Sequence, residues 1–339
     1  MKRDMMQWVD EMLAAERKKG LPVLSFPAIQ RMGVTVKELI ASSDLQARAM
    51  KLVADVTPGA ASLSMMDLSL EAEAFGSKIR FSSNEVPTVI GAIIEDEDDA
   101  DALEIPAIGT GRTQIYIDAI EKAVKLIDDR PVFAGTIGPF SLAGRLMGVA
   151  DAMVYCLEEP DMVHTVLDKV TRFLIDYILA YRGVGANGVV MAEPLAGILS
   201  PELEEEFSHE YVKRIVAAAQ TDEFLVCYHN CGNNTLRQTE SIAKTGCRIV
   251  HFGNAIDMGE MVGRIPEDIL VMGNVDPASQ FRNGTPESVK AATIALMQKC
   301  ASHRNFMPSS GCDIPPQSPW ENIMAFFDGI DAYYEGQRS

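Results

Sequence analysis

Short apolar runs rich in β-branched residues alternate along the chain with longer stretches in which apolar residues recur every three or four positions. That order predicts strands joined by crossover helices, as a parallel sheet requires. Eight runs stand out: residues 21–26, 61–67, 131–137, 188–193, 224–229, 248–254, 269–275 and 305–310. Their near-continuous apolarity fits strands covered on both faces. Between the second and third runs the pattern loosens. Residues 78–94 (KIRFSSNEVPTVIGAII) predict a hairpin or excursion, and residues 95–104 (EDEDDADALE) a solvated acidic loop.

Helix starts are marked three times by a capping residue before proline: Ser200-Pro201-Glu202, Thr285-Pro286-Glu287 and Ser318-Pro319-Trp320-Glu321. Proline suits the first helical position because its missing N–H would be unpaired there anyway, and acids in the first turn suit the helix dipole. Pro160 opens a long amphipathic stretch that ends at Gly183 and Gly185. With no internal repeat or linker, the economical expectation is one α/β domain over residues 1–339. It would be a single (β/α)8 TIM barrel with an N-terminal helical extension, a doubly wound open sheet being the alternative. A barrel places chemistry at the C-terminal ends of its strands.

Charge narrows the partners. The 339 residues carry 30 Lys+Arg against 48 Asp+Glu, a formal charge of -18. An acidic chain without a basic stripe argues against nucleic acid and against a membrane surface. The charged, amphipathic first 20 residues contain no apolar export core, and no later stretch has the roughly 18 apolar residues of a membrane span. The expected location is the cytoplasm, where the six cysteines would be thiols or metal ligands.

The strongest chemical signal follows the fifth run, where His229 and Cys231 form a His-x-Cys pair. In extended chain, residues two apart project to one side, so both could meet one ion. Cys312 follows the eighth run, and strand ends distant in sequence meet at a barrel mouth. An imidazole and two thiolates would hold zinc with one position open to substrate; otherwise the three are incidental core residues. Cys227 shares the His229 face and reads first as a small buried thiol, second as a fourth ligand. Cys156, Cys247 and Cys300 read as packing residues. At other strand ends stand Asp67 and Glu193, candidate catalytic acids, with Asn254, Asn274 and His251 as candidate substrate contacts. Each could instead cap the next turn, and for Asp276-Pro277 the turn is the stronger reading. No Walker lysine or G-x-G-x-x-G pattern supports nucleotide binding.

Several segments together resemble the uroporphyrinogen decarboxylase superfamily, and more closely its methylcobamide:coenzyme M methyltransferase branch. They are Met66-Asp67-Leu68-Ser69-Leu70-Glu71-Ala72-Glu73-Ala74-Phe75-Gly76, Ile137-Gly138-Pro139-Phe140-Ser141-Leu142-Ala143, His229-Asn230-Cys231-Gly232, Gly273-Asn274-Val275-Asp276-Pro277 and Gly311-Cys312-Asp313-Ile314-Pro315-Pro316. The resemblance implies a (β/α)8 barrel with zinc on His229, Cys231 and Cys312. It also implies methyl transfer from a methylated corrinoid to a small thiol such as coenzyme M. With no cobalamin-binding Asp-x-His-x-x-Gly motif here, the corrinoid would arrive on a separate corrinoid protein. Where decarboxylases carry an arginine-rich segment, residues 26–33 (FPAIQRMG) hold one arginine, which disfavours a polyanionic porphyrinogen. A glutamate ligand that some methyltransferases place after the sixth strand is missing from residues 248–256 (RIVHFGNAI), leaving water, Asn254 or His251 as the fourth zinc ligand. The rival expectations are a metal-independent decarboxylase using Asp67 and a non-catalytic barrel with structural zinc.

Overall fold

The computed structural model describes residues 3–337. Its strands are β1 (Ser62–Leu63), β2 (Lys78–Arg80), β3 (Thr88–Ile90), β4 (Val132–Ile137), β5 (Gly188–Ala192), β6 (Leu225–Asn230), β7 (Ile249–Phe252), β8 (Leu270–Val275) and β9 (Phe306–Ser310). Seven of them form one parallel sheet in the order β1-β4-β5-β6-β7-β8-β9, while β2 and β3 form the expected hairpin. Sequential neighbours joined by helices curl the sheet into the α/β barrel that the apolar runs predict.

The first run, residues 21–26, departs from expectation because it is not a regular strand. It is an extended segment bonded to both edges of the sheet. Leu21 N–H donates to Pro308 O at 3.0 Å, and Gly20 O accepts from Ala60 N–H at 3.0 Å just before β1. Ser309 Oγ donates to Leu21 O, and Val23 N–H donates to Ser310 Oγ. Pro22 and Pro308 each lack an N–H, so a regular ladder cannot form here and serine hydroxyls complete the pairing.

Two apolar layers hold the barrel. Inside, Leu63, Phe133, Leu225, Cys227, Ile249, Leu270 and Met307 pack together with Met5, Trp8, Val9, Met12 and Leu13 of the helix Met5–Ala14. That helix therefore plugs the N-terminal end, the role its amphipathic sequence suits. Outside, the crossover helices cover the sheet; Pro160–Gly183 alone buries eleven side chains, among them Phe173, Tyr177 and Tyr181. No single helix among the described residues is long and apolar enough to cross a membrane.

Local signals mostly hold. Ser200 accepts from Leu203 N–H, and Thr285 makes a reciprocal capping box with Ser288. Ser318 does not cap: the last helix starts at Trp320 with Pro319 before it, and the Ser318 N–H closes a turn on Pro315 O instead. The acidic loop is in part a helix, Glu97–Ala102, because Asp96 caps it and its first-turn acids favour the helix N-terminus.

Candidate metal centre

Alternation along β6 turns Cys227 and His229 to the barrel interior, with Cys231 continuing that side just past the strand. Asn230, on the opposite side, fastens the turn: its Oδ1 accepts from Gly232 N–H and its Nδ2 donates to Tyr228 Oη, both at 3.0 Å. Cys312 arrives from beyond β9. One ligand atom each of His229, Cys231 and Cys312 lies within 4.8 Å of the others, and His229 Nε2 is 3.5 Å from Cys312 Sγ. The Cys312 hydrogen bond holds the Cys231 thiol below its ordinary range, whereas the same bond and burial push Cys312 up. One nitrogen and two soft sulfurs form a donor set that suits zinc.

The His229 ring is oriented from behind. His251, completely buried, places Nε2 2.7 Å from Ser310 O and 3.0 Å from Ser309 Oγ. A carbonyl only accepts, so His251 Nε2 carries the proton. Burial first, and the neighbouring His229 second, hold its pKa well below the usual histidine range, so its Nδ1 is an acceptor. His229 Nδ1, 2.7 Å away, must then donate to it, leaving the His229 Nε2 lone pair facing the cysteines. Both His251 nitrogens are thus engaged within the protein, and the ring is a support rather than a surface open to substrate.

In front of the three ligands lies a cavity of about 70 Å³ walled by Met66, Leu68, Val190 and Pro194. Asp313 also lines it, and among the described residues its buried Oδ1 has no hydrogen-bond partner. In the sequence, the signal that points to Asp313 is its position beside the ligand Cys312. A larger open cavity of about 800 Å³ lies at the opposite end of the sheet, beside Asn187 and Thr221, and carries neither histidine nor cysteine.

The two candidate acids do not line the ligand cavity. Met66 and Leu68 face it, while Asp67 between them turns away: Oδ1 accepts from Ser69, and Oδ2 from Arg112 and Tyr116. Arg112 also reaches Glu73. Glu193 folds under the helix Pro139–Met147 and accepts from the N–H groups of Phe140 and Ser141, a charge-dipole cap. Burial pushes the Glu193 carboxyl up to about 7 despite those bonds. Gly138 makes the approach possible, since a Cβ there would sit 2.4 Å from Glu193 Oε2. Asn274 donates to Gly253 O and Ile256 O at 3.0 Å, bracing the loop after β7, and Asn254 is exposed against Gly311. Cys227 is packed inside the barrel, as its first reading held.

Comparison with known proteins agrees with this architecture. The family model described as uroporphyrinogen decarboxylase (URO-D) matches residues 23–333. A methylcobamide:CoM methyltransferase of Methanosarcina mazei is 30% identical over 276 residues, 79% of this chain and 78% of that protein. A uroporphyrinogen decarboxylase of Coxiella burnetii is 29% identical over 262 residues, 73% of this chain and 70% of that protein. A solved methyltransferase structure from Methanosarcina mazei superposes with a TM-score of 0.87 at 21% identity, covering 98% of this chain and 99% of that one. A barrel with this strand order, matched by the family model over nearly its whole length and related to methylcobamide:CoM methyltransferases, belongs to the uroporphyrinogen decarboxylase family.

Proposed function

We propose that the protein is a zinc-dependent methyltransferase that moves a methyl group from a methylated corrinoid, carried on a separate corrinoid protein, to a small thiol. The observation that carries this reading is the convergence of His229, Cys231 and Cys312 on one point in front of an apolar cavity. Three protein donors leave a tetrahedral ion one open position, which distinguishes a catalytic from a closed structural site. Zinc held there would supply the positive charge that keeps an acceptor sulfur deprotonated near neutral pH.

The chain's own groups do the rest. His251 fixes the tautomer and tilt of His229, and Gly253 leaves room for Cys231. Met66, Leu68, Val190 and Pro194 exclude water from the acceptor sulfur, which sheds its hydration and attacks more readily. The thiolate then attacks the methyl carbon in line and displaces the corrinoid cobalt from it: an S–C bond forms, the Co–C bond breaks, and its electron pair stays on the cobalt. In this reading Asp67 and Glu193 are positioning residues that fix the ends of their strands. Asp67, held by Arg112, Tyr116 and Ser69, has no free oxygen for the pyrrole-like cation of a decarboxylase.

The test is zinc quantification of wild type, Cys231→Ser and Cys312→Ser, with methylcob(III)alamin demethylation assayed against a panel of thiols. About one zinc per chain, lost in both variants, with thiol-dependent demethylation, is expected. Full demethylation without zinc, or a tightly held zinc that thiols cannot perturb and whose removal unfolds the chain, would overturn the proposal.

A further inference from the structure

Cys231 and Cys312 differ from the other thiols of the chain. Both are partly exposed, whereas Cys156, Cys227, Cys247 and Cys300 are buried. Their sulfurs lie within 4.8 Å of one another. Both stand outside regular structure: Cys231 directly follows β6, and Cys312 lies in a bend tied on either side by Gly311 N–H to Val275 O and by Ile314 N–H to Val23 O. A disulfide is about 2.05 Å long, so closing the pair from 4.8 Å or less asks for at most about 2.8 Å of combined travel, within the swing of two side chains about Cα–Cβ. Cys227, the other thiol on this side of β6, is four residues back, about 13 Å away at the rise of a strand, and cannot compete. The cavity in front of the pair, about 70 Å³, has room for a solute the size of about two waters, such as a small hydroperoxide. Where a second sulfur stands this close to an oxidised one, it displaces the oxygen before further oxidation can follow.

We propose that Cys231 and Cys312 form an oxidative modification site: a small hydroperoxide converts them to a reversible disulfide and so switches the metal centre off. One sulfur attacks the peroxide, the O–O bond breaks, and a sulfenic acid forms with release of an alcohol or water. The other sulfur attacks the sulfenic sulfur; an S–S bond forms, the S–O bond breaks, and water leaves. The pair gives up two electrons, the peroxide takes them, and the two thiol protons end in the released alcohol and water. A disulfide sulfur is neutral and a poor ligand, so His229 is left as the single strong donor of the set. Thiol–disulfide exchange with a dithiol restores both thiols. The inference goes beyond methyl transfer, since it needs neither a corrinoid nor an acceptor thiol.

Zinc-loaded wild type is treated with hydrogen peroxide. Released zinc is read with a chromophoric chelator, thiols are titrated after denaturation, and linkages are mapped by peptide mass spectrometry before and after dithiothreitol. The six titratable thiols are expected to fall by two, with the Cys231 and Cys312 peptides joined and about one zinc released per chain. Dithiothreitol followed by zinc should restore both thiols and metal. Cys231→Ser and Cys312→Ser should form no internal link and should leave the remaining cysteine as a sulfenic acid that dimedone captures, while Cys227→Ala should behave as wild type. Retention of zinc and all six thiols under peroxide that fully oxidises a control dithiol peptide, a link through Cys227, or a sulfinic acid without any link would overturn the inference. The wild-type linkage map decides alone if a serine variant does not fold. A Cys231–Cys312 link in a chain that binds no zinc would support the disulfide and refute the metal reading, whereas bound zinc without a link would refute the disulfide and leave the metal reading standing.

Discussion

His251 stands 2.7 Å behind His229, Nδ1 to Nδ1, and is itself anchored through Nε2 to Ser310 O. The hydrogen-bond chain ends on a carbonyl, which only accepts, so it runs one way only. It determines that His229 presents Nε2, unprotonated, to the two cysteines.

Removing that support should weaken metal binding while sparing the three ligands. His251→Phe is expected to lower zinc affinity about ten- to a hundredfold, the usual effect of losing the partner of a ligating histidine. Competition with a chromophoric chelator measures it, and an unchanged affinity would show that the His229 tautomer is set elsewhere.

Gly253 is required by packing rather than by backbone conformation. A Cβ there would lie 2.4 Å from Cys231 Cβ. Gly253→Ala should therefore displace Cys231, reduce zinc occupancy, and destabilise the fold by about 1–3 kcal/mol, as overpacking does. Chemical denaturation with and without zinc separates the two effects.

Asp67 shields the buried guanidinium of Arg112. Asp67→Ala removes the buried carboxylate of that pair, leaving the guanidinium to Glu73 and Ser69 Oγ, and should destabilise the protein by about 3–5 kcal/mol, the range for breaking a buried pair. A variant that lost activity at unchanged urea midpoint would instead mark Asp67 as a residue of the chemistry.

Burial pushes the carboxyls of Glu71 and Glu204 up to about 7 from 4.5. Between those values the folded state keeps a proton that the unfolded state has released, so stability falls as pH rises and is lowest above about 7. Each group accounts for at most about 3 kcal/mol. Urea unfolding at pH near 5 and near 8 should show the fall. Glu204→Gln, which keeps an acceptor for Ser241, should flatten it and be the more stable protein at the higher pH.

The apolar runs alone placed β4 through β9 because strands covered on both faces must be apolar throughout, and that pattern survives in one dimension. Segment 21–26 was legible as part of the barrel but not as an irregular closure, since its pairing depends on serine hydroxyls and on two prolines nearly three hundred residues apart. His229 and Cys231 were legible because two-residue spacing already places them on one side of a strand. Cys312 was legible because barrel topology gathers strand ends. What the sequence by itself could not decide was direction: Asp67 and Glu193 sit at strand ends, yet one turns to Arg112 and the other to a helix N-terminus. Whether a polar group after a strand faces the mouth or the surrounding helices depends on which donors other elements bring within about 3 Å. Only the folded chain brings Ser310 to His251, and so separates the residues that support the centre from those that face it.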